Sequence, residues 1–123
     1  MSKILIIDDD KTMTELLKTL AIMEGHTPTV VNDSTKAIEV AGSVKPDLIT
    51  LDLMMPKLSG FELLELLQQD PNFTEIPIII VSARDDTASK ERARRAGAKD
   101  YVTKPFDADE LMQKIKELTN AQS

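Results

Sequence analysis

Lys3-Ile4-Leu5-Ile6-Ile7-Asp8-Asp9-Asp10 stands almost at the start of the chain, an apolar run of strand length closed abruptly by acids. A strand with no polar alternation is one buried on both faces, as in a parallel sheet. Four more short runs follow, at residues 29–31, 48–51, 76–81 and 101–102, and segments with helical spacing of apolar residues separate them. The helix reading gains support from Ser59 three residues before Glu62 and Asp107 three before Glu110, the spacing of a capping box, and from stops expected at Gly25, Gly42 and Gly97. Five strands alternating with five helices predict a parallel sheet with right-handed crossovers, because each amphipathic helix packs back on a sheet face. The fold class is a doubly wound α/β domain.

The chain of 123 residues, 41% of them hydrophobic, suits one domain spanning residues 1–123 with enough apolar surface to fold without staples. No linker or repeat interrupts it, and the tail after Leu118 is short, so no output domain is expected. Cysteine is absent and His26 is the one histidine, which removes disulfides, zinc ribbons, thiol catalysis and histidine-rich metal sites and points to a reducing cytoplasm. The first strand is far too short for a signal peptide or a membrane span. Fifteen basic against twenty-one acidic residues give a net charge of -6, which repels phosphate backbones and acidic lipids. Neither a membrane nor direct nucleic-acid binding is expected.

In strands that should be apolar throughout, the polar residues that close them carry the information: Asp8 and Asp9, Asp52, Ser82 and Lys104. Open parallel α/β sheets bind ligands at the carboxyl ends of their strands, beside the point where strand order reverses, so all five converge there. Three carboxylates within about 5 Å would repel by about 3 kcal/mol per pair at an effective dielectric near 20, more than one lysine offsets. Either their pKa values rise or a hard divalent cation sits among them, and an all-oxygen donor set favours Mg²⁺. A carboxylate beside Mg²⁺, an ammonium and a hydroxyl is equipped to attack a phosphoryl group and form an acyl phosphate. Asp10 reads as a helix-start acid rather than a further ligand, His26 as a surface turn residue, and the Met54 and Met55 side chains as packing or rim groups.

Four ordered motifs carry a resemblance: Leu5-Ile6-Ile7-Asp8-Asp9; Asp52-Leu53-Met54-Met55-Pro56 with Gly60 beyond; Ser82-Ala83; and Tyr101-Val102-Thr103-Lys104-Pro105-Phe106. With these the chain resembles, over its whole length, the response-regulator receiver domain of the CheY-like family, in its stand-alone single-domain form. The resemblance implies a flavodoxin-like five-stranded sheet in the order 2-1-3-4-5. It implies that Asp52 is the phosphoacceptor, that Asp8, Asp9, Asp52 and the Met54 carbonyl hold Mg²⁺, and that Ser82 and Lys104 contact the phosphoryl oxygens. Tyr101 would change rotamer with Ser82 on activation, and the Lys104-Pro105 bond would be cis. Such a protein is a signalling switch of a two-component system rather than an enzyme, though it assists its own phosphoryl transfer and self-dephosphorylation.

The same resemblance makes a histidine kinase or phosphotransfer protein the donor and places the readout on the fourth helix, fifth strand and fifth helix, facing an unidentified downstream protein. The fourth helix is locally basic, with Lys90, Arg92, Arg94, Arg95 and Lys99 against Glu91 alone, which suits an acidic partner or a homodimer pairing Lys90 with Glu110 and Asp100 with Lys114. Met54 and Arg84 occupy positions that tune signal lifetime in the family. Three rivals fit less well. A haloacid-dehalogenase-type phosphatase needs an acid where Met54 stands, and a flavin carrier needs a hydroxyl- and glycine-rich loop where Asp8-Asp9-Asp10 would repel a phosphate. An unphosphorylated interaction module would not need the full acceptor set.

Overall fold

The computed structural model describes residues 2–120, so Met1 and the last three residues of the tail, 121–123, lie outside them. Five strands, β1 (Lys3–Ile7), β2 (Thr27–Val31), β3 (Leu48–Leu51), β4 (Ile78–Ser82) and β5 (Asp100–Thr103), alternate with α1 (Lys11–Met23), α2 (Ala37–Val44), α3 (Gly60–Gln69), α4 (Thr87–Arg95) and α5 (Ala108–Asn120). All pairings are parallel, in the order β2-β1-β3-β4-β5. The doubly wound architecture is as expected.

Alternate side chains of each central strand feed opposite faces. Leu5, Ile7, Ile49, Leu51, Ile78 and Ile80 join a core with Ala37 and Ala41 of α2, Phe61, Leu63, Leu64 and Leu67 of α3, and Ala93 of α4. Ile4, Ile6, Leu48, Ile79, Val81 and Val102 join a second core with Leu17 of α1 and Leu111, Met112 and Ile115 of α5. Thus α1 and α5 cover one face and α2, α3 and α4 the other. Side-chain caps fix where helices begin: Asp10 accepts from Thr12 and Met13 amides, Ser59 from Glu62, Asp86 from Ser89, and Asp107 from Asp109 and Glu110.

Several boundaries differ from the sequence reading. Gly42 lies inside α2, which runs on to Val44. The stop is made instead by Lys45, in the left-handed region at φ 53, with Pro46 after it. Gly25 and Gly97 do take positive φ just past α1 and α4. The fourth strand starts at Ile78 rather than residue 76, because Pro77 has no N–H to donate and the Ile76 amide bonds back to the Phe73 carbonyl. Thr119 and Asn120, read as tail, complete α5, and His26 is half-buried rather than on the surface.

Candidate functional site

Parallel pairing brings the carboxyl ends of four strands to one rim. Asp8 donates its amide to Val31, Asp52 to Ile7 and Lys104 to Ser82, so each polar residue is set by a neighbouring strand. One oxygen from each of Asp8, Asp9 and Asp52 falls in a group whose members all lie within 4.8 Å of one another. Asp8 and Asp52 are 2% and 6% exposed, whereas Asp9 faces solvent. The Lys104 ammonium donates to Asp8 Oδ2 at 2.7 Å and to Asp52 Oδ2 at 3.3 Å. The remaining oxygens of the buried pair accept backbone amides, Asp8 Oδ1 from Asp10 at 3.0 Å and Asp52 Oδ1 from Met54 at 3.1 Å.

Burial pushes the Asp8 carboxyl above the ordinary aspartate range, and the nearby Asp52 charge adds to that, against the pull of Lys104. For Lys104 burial acts against the charge, but the bond to Asp8 and the charge of Asp52 prevail and hold the ammonium above its ordinary value. One ammonium is thus shared between two buried acids, with the exposed Asp9 beside them. The site therefore has room in its charge balance for another cation. Its donor set, three carboxylates with no histidine or sulfur, fits hard Mg²⁺.

Ser82 is fully buried at the end of β4, and its Oγ accepts the Arg84 amide at 3.3 Å. The Tyr101 hydroxyl donates to the Arg84 carbonyl, so the two expected switch residues both bond the backbone of Arg84, one at its amide and one at its carbonyl. Met54 forms an exposed rim and Met55 is in the core. The Arg84 guanidinium is 3.5 Å from Asp86 and 6.0 Å from the Phe61 ring centroid. The Lys104-Pro105 bond is cis, as expected. Asp10 is engaged as the α1 cap.

On the α4–β5 face, the sequence reading needs correction. Lys114, midway along α5, donates to Asp100 of β5 at 3.0 Å within the chain, so this pair is already formed without a second copy. Glu91 is taken by Arg94 and Arg95, while Arg92 stacks 4.0 Å from the Phe61 centroid and reaches Glu65 at 3.8 Å. Lys90 lies 5.8 Å over the Tyr101 ring, and Lys90, Arg94 and Tyr101 help line a cavity of about 270 Å³.

The sequence reading missed the end of β2. Asn32 Nδ2 donates to the Asp8 carbonyl at 2.9 Å and to Thr14 Oγ1 at 3.1 Å, and the buried Ser34 hydroxyl bonds the loop after β3. The signal was the polar run Asn32-Asp33-Ser34 closing an apolar strand.

A model of the response regulator receiver domain matches residues 4–116, nearly the whole chain. The chain belongs to this family. The receiver is 36% identical over 118 residues to the DNA-binding dual master transcriptional regulator RpaA of Synechocystis sp., an alignment covering 96% of this chain and 49% of that protein. It is 33% identical over 114 residues to the DNA-binding response regulator MtrA of Mycolicibacterium paratuberculosis, covering 93% and 49%. The chain thus spans about half the length of the curated relatives it matches. Among solved structures, the receiver domain of Francisella response regulator 1452 superposes with a TM-score of 0.93 at 35% identity, covering 100% of both chains. Vibrio cholerae chemotaxis protein CheY4, at 22% identity and a TM-score of 0.90 over 96% of this chain and 98% of that one, shares the fold. The protein is a response-regulator receiver of two-component signalling. Among its described residues no helix is long and apolar enough to cross a membrane.

Proposed function

We propose that this receiver, residues 1–123 acting as one unit in the cytoplasm, accepts a phosphoryl group on Asp52 from a phosphohistidine of a histidine kinase or phosphotransfer protein. The observation that carries the reading is the Lys104 ammonium placed between buried Asp8 and Asp52 at 2.7 and 3.3 Å. Asp8, Asp9, Asp52 and the Met54 carbonyl are the residues that would hold Mg²⁺, which when bound supplies counter-charge to the acids and to phosphoryl oxygens. The Met54 amide holds one Asp52 oxygen and so orients the carboxylate. A carboxylate oxygen attacks phosphorus as the bond to the donor imidazole nitrogen breaks, and Lys104 stabilises charge on the equatorial oxygens.

A phosphoryl group draws the Ser82 hydroxyl toward it and releases the Arg84 amide that Ser82 now holds. Because Tyr101 bonds the carbonyl of the same residue, its position responds in turn. The consequence is a changed surface on α4, β5 and α5, read by a downstream protein or by a second copy of the chain. Lys90 and Glu110 remain available for a homodimer, and neither DNA nor a membrane is a direct partner of this reading. Radiolabelled acetyl phosphate tests it: incorporation is expected with Mg²⁺ and lost with a chelator. Absence of labelling from small donors and from phosphohistidine donors alike would refute it.

A further inference from the structure

The polar end of β2 takes no part in the chemistry above, yet it grips both halves of the acidic cluster. Asn32 holds the Asp8 carbonyl at 2.9 Å, on the loop that supplies Asp8 and Asp9. Two residues on, the Ser34 hydroxyl, 3% exposed, donates to the Pro56 carbonyl at 3.0 Å and accepts the Leu58 amide at 3.2 Å. Those two groups flank Lys57, which sits in the left-handed region at φ 68. A non-glycine residue stays there only where its surroundings fix it, and the hydroxyl binds the backbone on either side. Lys57 also reaches Asp33 at 3.4 Å. The gripped segment belongs to the loop that begins with Asp52 and Met54.

We propose that Asn32 and Ser34 are positioning residues that set the spacing between the Asp8–Asp9 half of the site and the Asp52–Met54 half. This rests on reading the cluster as an Mg²⁺ site. The two halves sit on separate loops, and Mg²⁺ demands near-ideal octahedral geometry at short metal–oxygen distances, so slack in either loop weakens binding. A small cavity of about 90 Å³ beside the cluster is lined by Asp9, Asn32, Asp33, Ser34, Pro56 and Lys57, so residues of both loops and of the β2 end meet there.

Calorimetric titration of Mg²⁺ into the wild type, Ser34→Ala and Asn32→Ala provides the test, with thermal melting of each protein to establish folding. Losing an outer-shell partner typically weakens metal binding 10–100-fold, and about tenfold is expected for each variant. In acetyl phosphate labelling, the Mg²⁺ concentration for half-maximal rate should rise by the same factor while the rate at saturating Mg²⁺ stays within about twofold. A purely structural role would lower the melting temperature and leave Mg²⁺ affinity alone. A folded variant with wild-type affinity overturns the proposal, and if Ser34→Ala does not fold, Asn32→Ala decides it. Absence of Mg²⁺ binding by the wild type would instead remove the metal reading beneath it.

Discussion

Lys104 holds Asp8 and Asp52 through one ammonium, so its removal separates two roles. Lys104→Ala should slow labelling of Asp52 by about 10²–10³-fold, the usual loss when one charge-stabilising donor disappears. Mg²⁺ affinity should not fall, because the lysine competes with the metal for Asp8 and Asp52 oxygens. Rapid-quench labelling together with calorimetry checks both halves, and an unchanged labelling rate would deny Lys104 its role. His26 offers a separate test. Burial lowers its pKa below the ordinary histidine value of 6.5, and its Nδ1 is buried without a partner. The unfolded chain therefore binds the proton more readily, and stability present above pH 6.5 should decline as pH falls through the folded-state value. Urea denaturation across that window should show a steeper loss of stability with falling pH in the wild type than in His26→Gln, and equal slopes would contradict this. The strand-end acids, Ser82 and Lys104 were legible in the sequence because a charge closing an apolar run is conspicuous. Asn32 and Ser34 left a weaker signal, since β2 is an edge strand where polar residues are ordinary.

At the scale of elements, the β3–α3 loop is held tightly against α3. Gly60 donates its amide to the Leu53 carbonyl at 3.1 Å, and a Cβ there would stand 2.2 Å from the Asp52 carbonyl oxygen and 2.4 Å from Leu53 Cα. Both are backbone atoms, so Gly60→Ala should destabilise the fold by about 1–3 kcal/mol in chemical denaturation and displace Asp52. Wild-type stability in that variant would mean that α3 docks less tightly than the distances say. Around the rim, Met54 is 55% exposed and free to crowd a water approaching Asp52, whereas Arg84 is drawn toward Asp86 and Phe61. Replacing both by small residues should speed self-dephosphorylation, with Met54 contributing more. Equal decay rates would defeat that expectation. Element types followed from periodicity, but the end of α2 did not. A glycine suggests a stop, yet Gly42 lies within the helix and Lys45 makes the left-handed turn before Pro46. Likewise the start of β4 depended on which residue could donate to β3, a property of pairing rather than of hydropathy.

For the whole molecule, the two cores fasten the sheet between helix layers, and the acidic cluster with Lys104 lies at the carboxyl ends of the strands. The α4–β5–α5 face is less basic in effect than the sequence suggests, because Glu91, Glu65 and Phe61 occupy three of its arginines. Lys90 and Glu110 are exposed. Loading with a phosphate mimic should shift size-exclusion elution toward a dimer, and Lys90→Glu should abolish the shift; a monomer under all conditions would give the surface to another protein. Topology and the location of the cluster were legible in the sequence because five strand ends can share only one rim in a parallel sheet, but side-chain pairing across the α4–β5–α5 face depends on helix packing that no linear pattern encodes. The central claim is that this rim makes Asp52 the carrier of a phosphoryl group. Intact-mass and peptide mapping after acetyl phosphate and Mg²⁺ should place one phosphoryl adduct on Asp52 in the wild type and none on Asp52→Asn; an adduct that persists in the variant, or maps to another residue, would contradict it.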